Sequence, residues 1–555
     1  MLEGKAEQCV GIGAIRRCVN LILIEGLVVV LVIVGLALMT DALAISSVNV
    51  PLDHWSYPAI EKLSGFGLLH SDLQGARPFT RLEMARLINE ALNEKESGSE
   101  GLPPLVDALL RRLKKEFNEE LSILRPGASA STGLSIKPLD ELQARYVYSE
   151  GQPRQFTTDI RNRPAIRATE GTPLVENNEG VTYGEHHNCT LQFSSSIRYM
   201  DIFSAYLQPV LLLRQNDGGL RSFDEVEADL LKGYGKISPG NIEFELGRDS
   251  LWWGQGRHGS LLLTDNADPL DMLKISNPSP TLLPWIFQYL GPFKYSLLLS
   301  RLENDRVAPH PWLGGFRLDL KPFPTFEMGL ASTFMFGGKD RSSLSFNDAL
   351  DILTLQGGHS NTDVYQLSVF DARLRLPFLR NAELYAEIGG QQSGEKNTGP
   401  VLGDLGYLAG VYVPHVDEDG RTDLRVEYAR NIQGSSSNSG VWYEHLVYRS
   451  GYTYDGLIMG HHMDGDASDT FGRVTHYLRD DVVIGLDFDY MERRNKLLSR
   501  STEKVNQFGG DVTFDVRDDL SLIGRYGYET VSNFDLQANS DRKDHLLMVI
   551  LKFEL

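Results

Sequence analysis

Cysteine is nearly missing from this chain, with 3 among 555 residues. Cys9 and Cys18 fall in an N-terminal leader, so Cys189 stands alone in the mature chain and an intramolecular disulfide framework is excluded. Long apolar runs are scarce too. After residue 39 none approaches the length of a spanning helix, so a mature chain that crosses a membrane must do so with strands. Positive charge is in deficit, with 54 Lys and Arg against 74 Asp and Glu; the formal charge of −20 argues against nucleic-acid binding, which needs a basic face. No Gly-x-Ser-x-Gly elbow, phosphate-binding glycine loop or His-Glu-x-x-His zinc helix occurs. An enzyme would have to assemble its triad from distant residues, so none is expected, and no cofactor is either.

What is present begins with a leader. Arg16 and Arg17 precede an apolar stretch from Leu27 to Met39 and the small-x-small pattern Ala42-Leu43-Ala44, which predicts a secretory signal over residues 1–44. At the other end Leu547, Val549, Leu551, Phe553 and Leu555 form one apolar stripe to the last residue, while the opposite face turns from Met548 and Ile550 to Lys552 and Glu554. Period two of this kind suits a strand that closes a membrane barrel, with one face to lipid and the other to the lumen.

The same texture runs back through residues 137–555. Val482, Ile484, Leu486, Phe488 and Tyr490 alternate with Asp487 and Asp489, and Leu424, Val426 and Tyr428 alternate with Arg425 and Glu427. At roughly 23 residues per strand and connection this length predicts an all-β, antiparallel transmembrane barrel of about 16 to 18 strands. Counted backward from the terminal strand, connections should alternate: Ser532 to Lys543 long, Arg517-Asp518-Asp519 short, Glu492 to Lys504 long, Arg479-Asp480-Asp481 short. If the last strand ends in the periplasm, the region around His461 lies at the outer rim.

Residues 45–95 read differently. Trp55, Ile60 and Leu63, then Met84, Leu87, Ile88 and Leu92, recur at helical spacing around a glycine-containing loop, and Thr80 with Glu83 forms a helix-capping pattern. The Asp53-His54-Trp55 opening, the Ala59-Ile60-Glu61-Lys62-Leu63 helix and the Thr80-Arg81-Leu82-Glu83 box make this segment similar to one surface-layer-homology repeat. The resemblance implies a periplasmic helical module that touches the cell wall through Trp55, Thr80, Arg81 and Glu83, with Arg81 as the anion contact and peptidoglycan as a further partner. Two features depart from the pattern: only one repeat is present, and Ser71 to Ala76 replaces the usual Gly-Asp-Gly turn. The plain alternative is that Arg81 and Glu83 only cap and pair. Residues 96–136 add a linker and a helix from Pro104, striped by Val106, Leu109, Leu110, Leu113, Phe117 and Leu121, which either docks on the barrel mouth or spaces it from the wall.

The segment from Gly247 to Asp271 crowds Arg248, Trp252, Trp253, His258 and Asn266 among glycines. Tryptophan faces stack on sugar rings or hold a membrane interface, and arginine bridges acidic groups. Gly247-Arg248, Trp252-Trp253-Gly254-Gln255-Gly256, Asn266 and Pro269 resemble the signature of the Wzi-type capsule assembly family, as do Tyr452, Tyr454, Gly456, Gly460-His461, Gly465-Asp466 and Leu207-Gln208-Pro209. The resemblance implies an eighteen-stranded outer-membrane barrel that holds capsular or other extracellular polysaccharide without catalysis. It makes Arg248, Trp252, Trp253, Asn266 and His461 either glycan contacts or braces of the barrel interior. Outer-membrane lipid and lipopolysaccharide are the other expected partners. Arg493, Arg494, Lys496 and Arg500 form a basic outer loop that either draws in an acidic polysaccharide or is an ordinary charged hairpin. His461 and His462 with Asp464, Asp466 and Asp469 lack the ligand order of a calcium loop, so no metal is expected there. A wall-tethered diffusion porin is the second function to weigh and an outer-membrane hydrolase the third; lumen occupancy separates the porin from the glycan binder.

Overall fold

The computed structural model describes residues 45–98, 101–125, 133–151, 171–215, 225–341, 364–391, 404–431, 442–494 and 501–555. The expected leader, Lys496 and Arg500 lie outside these residues. Antiparallel strands close into one barrel of 18, from Leu134–Glu150 to Arg542–Glu554. Closure runs from Glu141 opposite Glu554 to Glu150 opposite His545, so the terminal strand is the seam, as its pattern predicts. The barrel begins at Leu134, three residues earlier than expected.

Alternation sorts the two faces. Leu547, Val549 and Leu551 point outward and are exposed, whereas Leu546, Met548 and Lys552 are buried on the inner face. Leu486 and Phe488 are likewise exposed while Asp489 between them and Tyr490 is buried. A closed sheet with an apolar outer belt is the form in which strands satisfy every backbone group within a bilayer. Inside, charges sit in matched sets. Arg473 bridges Asp487 at 2.9 Å and Asp511 at 2.7 Å, and Arg317 lies between Asp319 and Asp371 at 2.6 and 2.8 Å. Long connections 494–502 and 533–541 alternate with the short turns 480–481 and 518–519, as expected.

The lumen is filled from both ends. From the short-turn end enters the helical module: α1 (Ser56–Gly65), α2 (Arg81–Glu96), α3 (Pro104–Glu116) and α4 (Asn118–Ile123) share an apolar core of Leu63, Met84, Leu87, Ile88, Val106, Leu113 and Phe117. That core extends to Tyr477 on the barrel wall. Helix α3 docks on the mouth, with Arg112 on Asp515 and Lys115 on Asp518, rather than standing off as a spacer. From the long-loop end, residues 250–269 and 442–466 fold inward. The two fillings meet in a short ladder, Ala76 opposite Trp253 and Arg77 opposite Trp252.

The residues expected to touch the cell wall have other partners. Thr80 caps α2 by accepting from the Glu83 amide at 3.1 Å. The Glu83 carboxylate does not turn back to complete a capping box; it takes Lys294 of the wall at 2.7 and 2.9 Å, because a buried ammonium needs a counter-charge. Arg81 is buried between Glu116 and Glu120 at 2.8 and 2.7 Å and stacks on Phe117, and Trp55 carries the Arg112 guanidinium on its ring. These side chains pair within the module and with the barrel.

Candidate functional site

The site is built around residues 250–269. Four carboxylates on the barrel wall hold this loop, two through its backbone amides and two through the side-chain amide of Gln255. Glu387 accepts from the amides of Gly256 and Leu261, both at 2.9 Å, and Glu427 accepts from those of Arg257 and His258 at 2.9 and 3.0 Å. Glu327 and Asp371 take the Gln255 amide at 3.1 and 2.8 Å. Glu327 also accepts from the amides of Gln74 and Gly75, so one wall residue grips both fillings. Gly254 has φ +148°, and a Cβ there would collide with Ser260 and Glu387; only glycine lets the chain pass so close.

The signature residues are engaged by other parts of the chain. Trp253 is 1% exposed, in a core with Leu261, Leu263, Tyr443 and Tyr452, and Trp252 is buried with its indole N–H donated to the Gly256 carbonyl at 3.0 Å. Neither ring offers a face to a sugar in this arrangement. Arg248 forks onto Asp271 at 2.9 and 3.0 Å. Asn266 donates to the Ile458 carbonyl at 3.0 Å and the Tyr443 hydroxyl donates to the Leu261 carbonyl at 2.8 Å, tying the two inward segments together, while the His461 amide donates to the Tyr443 hydroxyl at 3.0 Å within the second. In the basic hairpin Arg493 pairs with Glu503, and Arg494 and Lys504 share Glu492. His462 and Asp469 do approach each other, but in the company of His258 and Asp489 and not of Asp464 or Asp466.

Beside these residues lies a polar cleft at the long-loop ends of the strands, lined by Glu176, Asn266, Leu457, Arg493, Gln507 and Glu529. Gln507 bridges Glu176 and Glu529 at 3.0 and 2.8 Å. Carboxylates, an amide and a guanidinium above an apolar side chain are the groups that hydrogen-bond sugar hydroxyls. Sequence reading singled out Asn266 and Arg493 but missed Glu176, Gln507 and Glu529, which lie far apart in the chain.

At the opposite end the module is clamped by charge. Burial alone would raise the Glu61 carboxyl, but Arg425 and Arg257 outweigh it and hold it down to about 2. For Asp72 burial is likewise outweighed, by Lys321, Arg375 and Arg373, and the group stays well below the usual carboxylate range. A depressed carboxyl stabilises fully above its ordinary value and loses that contribution as pH falls through the folded one. Docking of the module is therefore expected to hold at neutral pH and weaken from the ordinary Glu61 value of 4.5 down to about 2. Amide hydrogen exchange in α1 and α2 should rise over that window before exchange in the barrel strands does; unchanged protection at its lower end would contradict the clamp.

The solved Escherichia coli outer-membrane protein Wzi, a carbohydrate-binding β-barrel involved in group 1 capsule assembly, superimposes with a TM-score of 0.65 over 91% of this chain and 99% of that one at 18% identity, a likeness of fold. An uncharacterised 55.8 kDa protein of the Klebsiella pneumoniae cps region is 27% identical over 245 residues, 42% of this chain. The match spans 45% of that relative's length. The profile of capsule assembly protein Wzi matches residues 155–546, well over half of the sequence, and the chain belongs to that family.

Proposed function

We propose that the protein sits in the bacterial outer membrane with its helical module on the periplasmic side and retains capsular or other extracellular polysaccharide at the cell surface, without catalysis. The observation that carries this reading is the filled lumen. A diffusion porin needs an open constriction, whereas here the Ala76-Arg77 and Trp252-Trp253 ladder lies across the interior, gripped by Glu327, Glu387 and Glu427. A barrel so filled works at its mouth. Membership of a capsule assembly family and the carbohydrate binding of the Escherichia coli barrel support a glycan as the ligand, and the cleft of Glu176, Gln507 and Glu529 offers the hydrogen-bonding groups. The experiment is deletion of the gene, with cell-associated and shed polysaccharide measured separately. Retention by this protein predicts a shift of polymer from cells to medium at constant total.

A further inference from the structure

Four side chains from distant parts of the chain converge inside the barrel. His258 comes from the inward loop, His462 from the long inward segment, Asp469 from strand Ala467–Arg479 and Asp489 from strand Val482–Arg493. One donor atom from each lies within 4.8 Å of all the others. His462 Nε2 is 3.2 Å from Asp469 Oδ2, and His258 Nε2 is 3.4 Å from Asp489 Oδ2 and 3.6 Å from Asp469 Oδ2. These approaches lack hydrogen-bond geometry. His258 Nε2, both ring nitrogens of His462 and all carboxylate oxygens of Asp469 and Asp489 are buried without a hydrogen-bond partner.

Buried polar atoms are otherwise nearly always paired, and two unanswered carboxylates side by side are among the costliest arrangements in an interior. Elsewhere in this lumen the problem is met by arginine and lysine, as at Asp319, Asp371 and Asp72. Among the described residues only imidazoles face Asp469 and Asp489, and the nearby Arg493 is engaged by Glu503. A cation would answer one orphaned atom from each of the four side chains at once. Donors at about 2.0–2.2 Å from a tetrahedral zinc ion stand roughly 3.3–3.6 Å apart. Two of the three measured separations, 3.4 and 3.6 Å, fall in that range and the third, 3.2 Å, just below it.

We propose that His258, His462, Asp469 and Asp489 form a structural site for a divalent ion of the zinc class. Two imidazoles and two carboxylates suit zinc and its first-row neighbours, whereas calcium and magnesium favour all-oxygen sets. Four protein donors make a closed site, which is a structural and not a catalytic arrangement. His258 is placed for it: its amide donates to Glu427 at 3.0 Å and its ring stacks on Phe471 with centroids 3.9 Å apart. The ion pins both inward segments to two neighbouring wall strands beside the polar cleft, whose lining includes His462. The site stands independently of which polymer the mouth takes.

The test uses the full chain in detergent, stripped with chelator and then offered Zn2+, with Co2+ as an optical probe. The expected result is about one ion per chain, a visible spectrum of four-coordinate Co2+, and a thermal midpoint that climbs with free metal. His462→Gln and the double variant Asp469→Asn, Asp489→Asn should each weaken metal binding roughly tenfold or more. Both are compared only where they keep the heat-modifiable electrophoretic mobility of a folded barrel; His462→Gln, the milder change, decides if the double variant does not fold. Wild-type protein that takes up no stoichiometric metal, or folded variants that bind it as tightly, would overturn the site and leave an aspartate pair sharing a proton.

Discussion

Asp72→Ala is expected to undock the helical module from the barrel, at a cost of about 3–5 kcal/mol, the usual penalty for breaking a buried ion pair from one side. Asp72 Oδ1 lies 2.5 Å from Lys321 Nζ, and its Oδ2 faces Arg373 at 3.5 Å and Arg375 at 3.7 Å while accepting from Ser64 and Gln74 at 2.9 and 3.0 Å. Without the carboxylate three buried cations crowd together with Glu327 and Glu383 as their remaining counter-charges. The barrel, closed by its own seam, should keep its strands. Limited proteolysis should then cut residues 45–125 while the barrel resists. Adding Lys321→Met should recover part of the loss, since an apolar replacement of both partners removes the stranded charge. A change below about 1 kcal/mol, the size of a surface pair, would show that the module is not held this way.

Trp253→Ala is expected to cost a similar 3–5 kcal/mol, for a different reason: it leaves a large void in a close-packed core. Trp253 is 1% exposed, its amide donates to the Leu263 carbonyl at 3.0 Å, and it pairs across the short ladder with Ala76. Removing the ring should loosen residues 250–269, and glycan retention should fall along with the unfolding midpoint. A tryptophan that served as a sugar platform would behave in the opposite way, losing binding with stability intact. Measuring both quantities on the same variant separates the two, and lost binding at an unchanged midpoint would contradict the bracing role.

The barrel was legible because its signal is local. Alternation in the strands around Leu486 and Leu547 states which side chain faces lipid, and turn lengths state which end is which. What faces the lumen was legible as charge but not as pairing. Arg425 is recognisable as an inward residue, yet its partner Glu61 lies 364 positions away on a helix that looks, from its own periodicity, like part of a free-standing module. The same limit hides the partner of Glu83, whose box pattern describes a helix start and says nothing about Lys294. It also hid the histidine and aspartate cluster. A local search around His461 and His462 gathers Asp464, Asp466 and Asp469; of these Asp469 belongs to the cluster, and barrel closure and loop insertion bring His258 and Asp489 to it. Trp252 and Trp253 mark a segment that folds inward, and both rings are buried there.

The most direct measurement is the partition of polysaccharide between cells and medium in a strain lacking the gene, beside the uptake of small solutes. Retention at the mouth of a filled barrel predicts that polymer moves from cells to medium, that total synthesis and solute uptake stay unchanged, and that the wild-type gene restores the partition. Normal retention together with slowed uptake would contradict it and make the protein a pore.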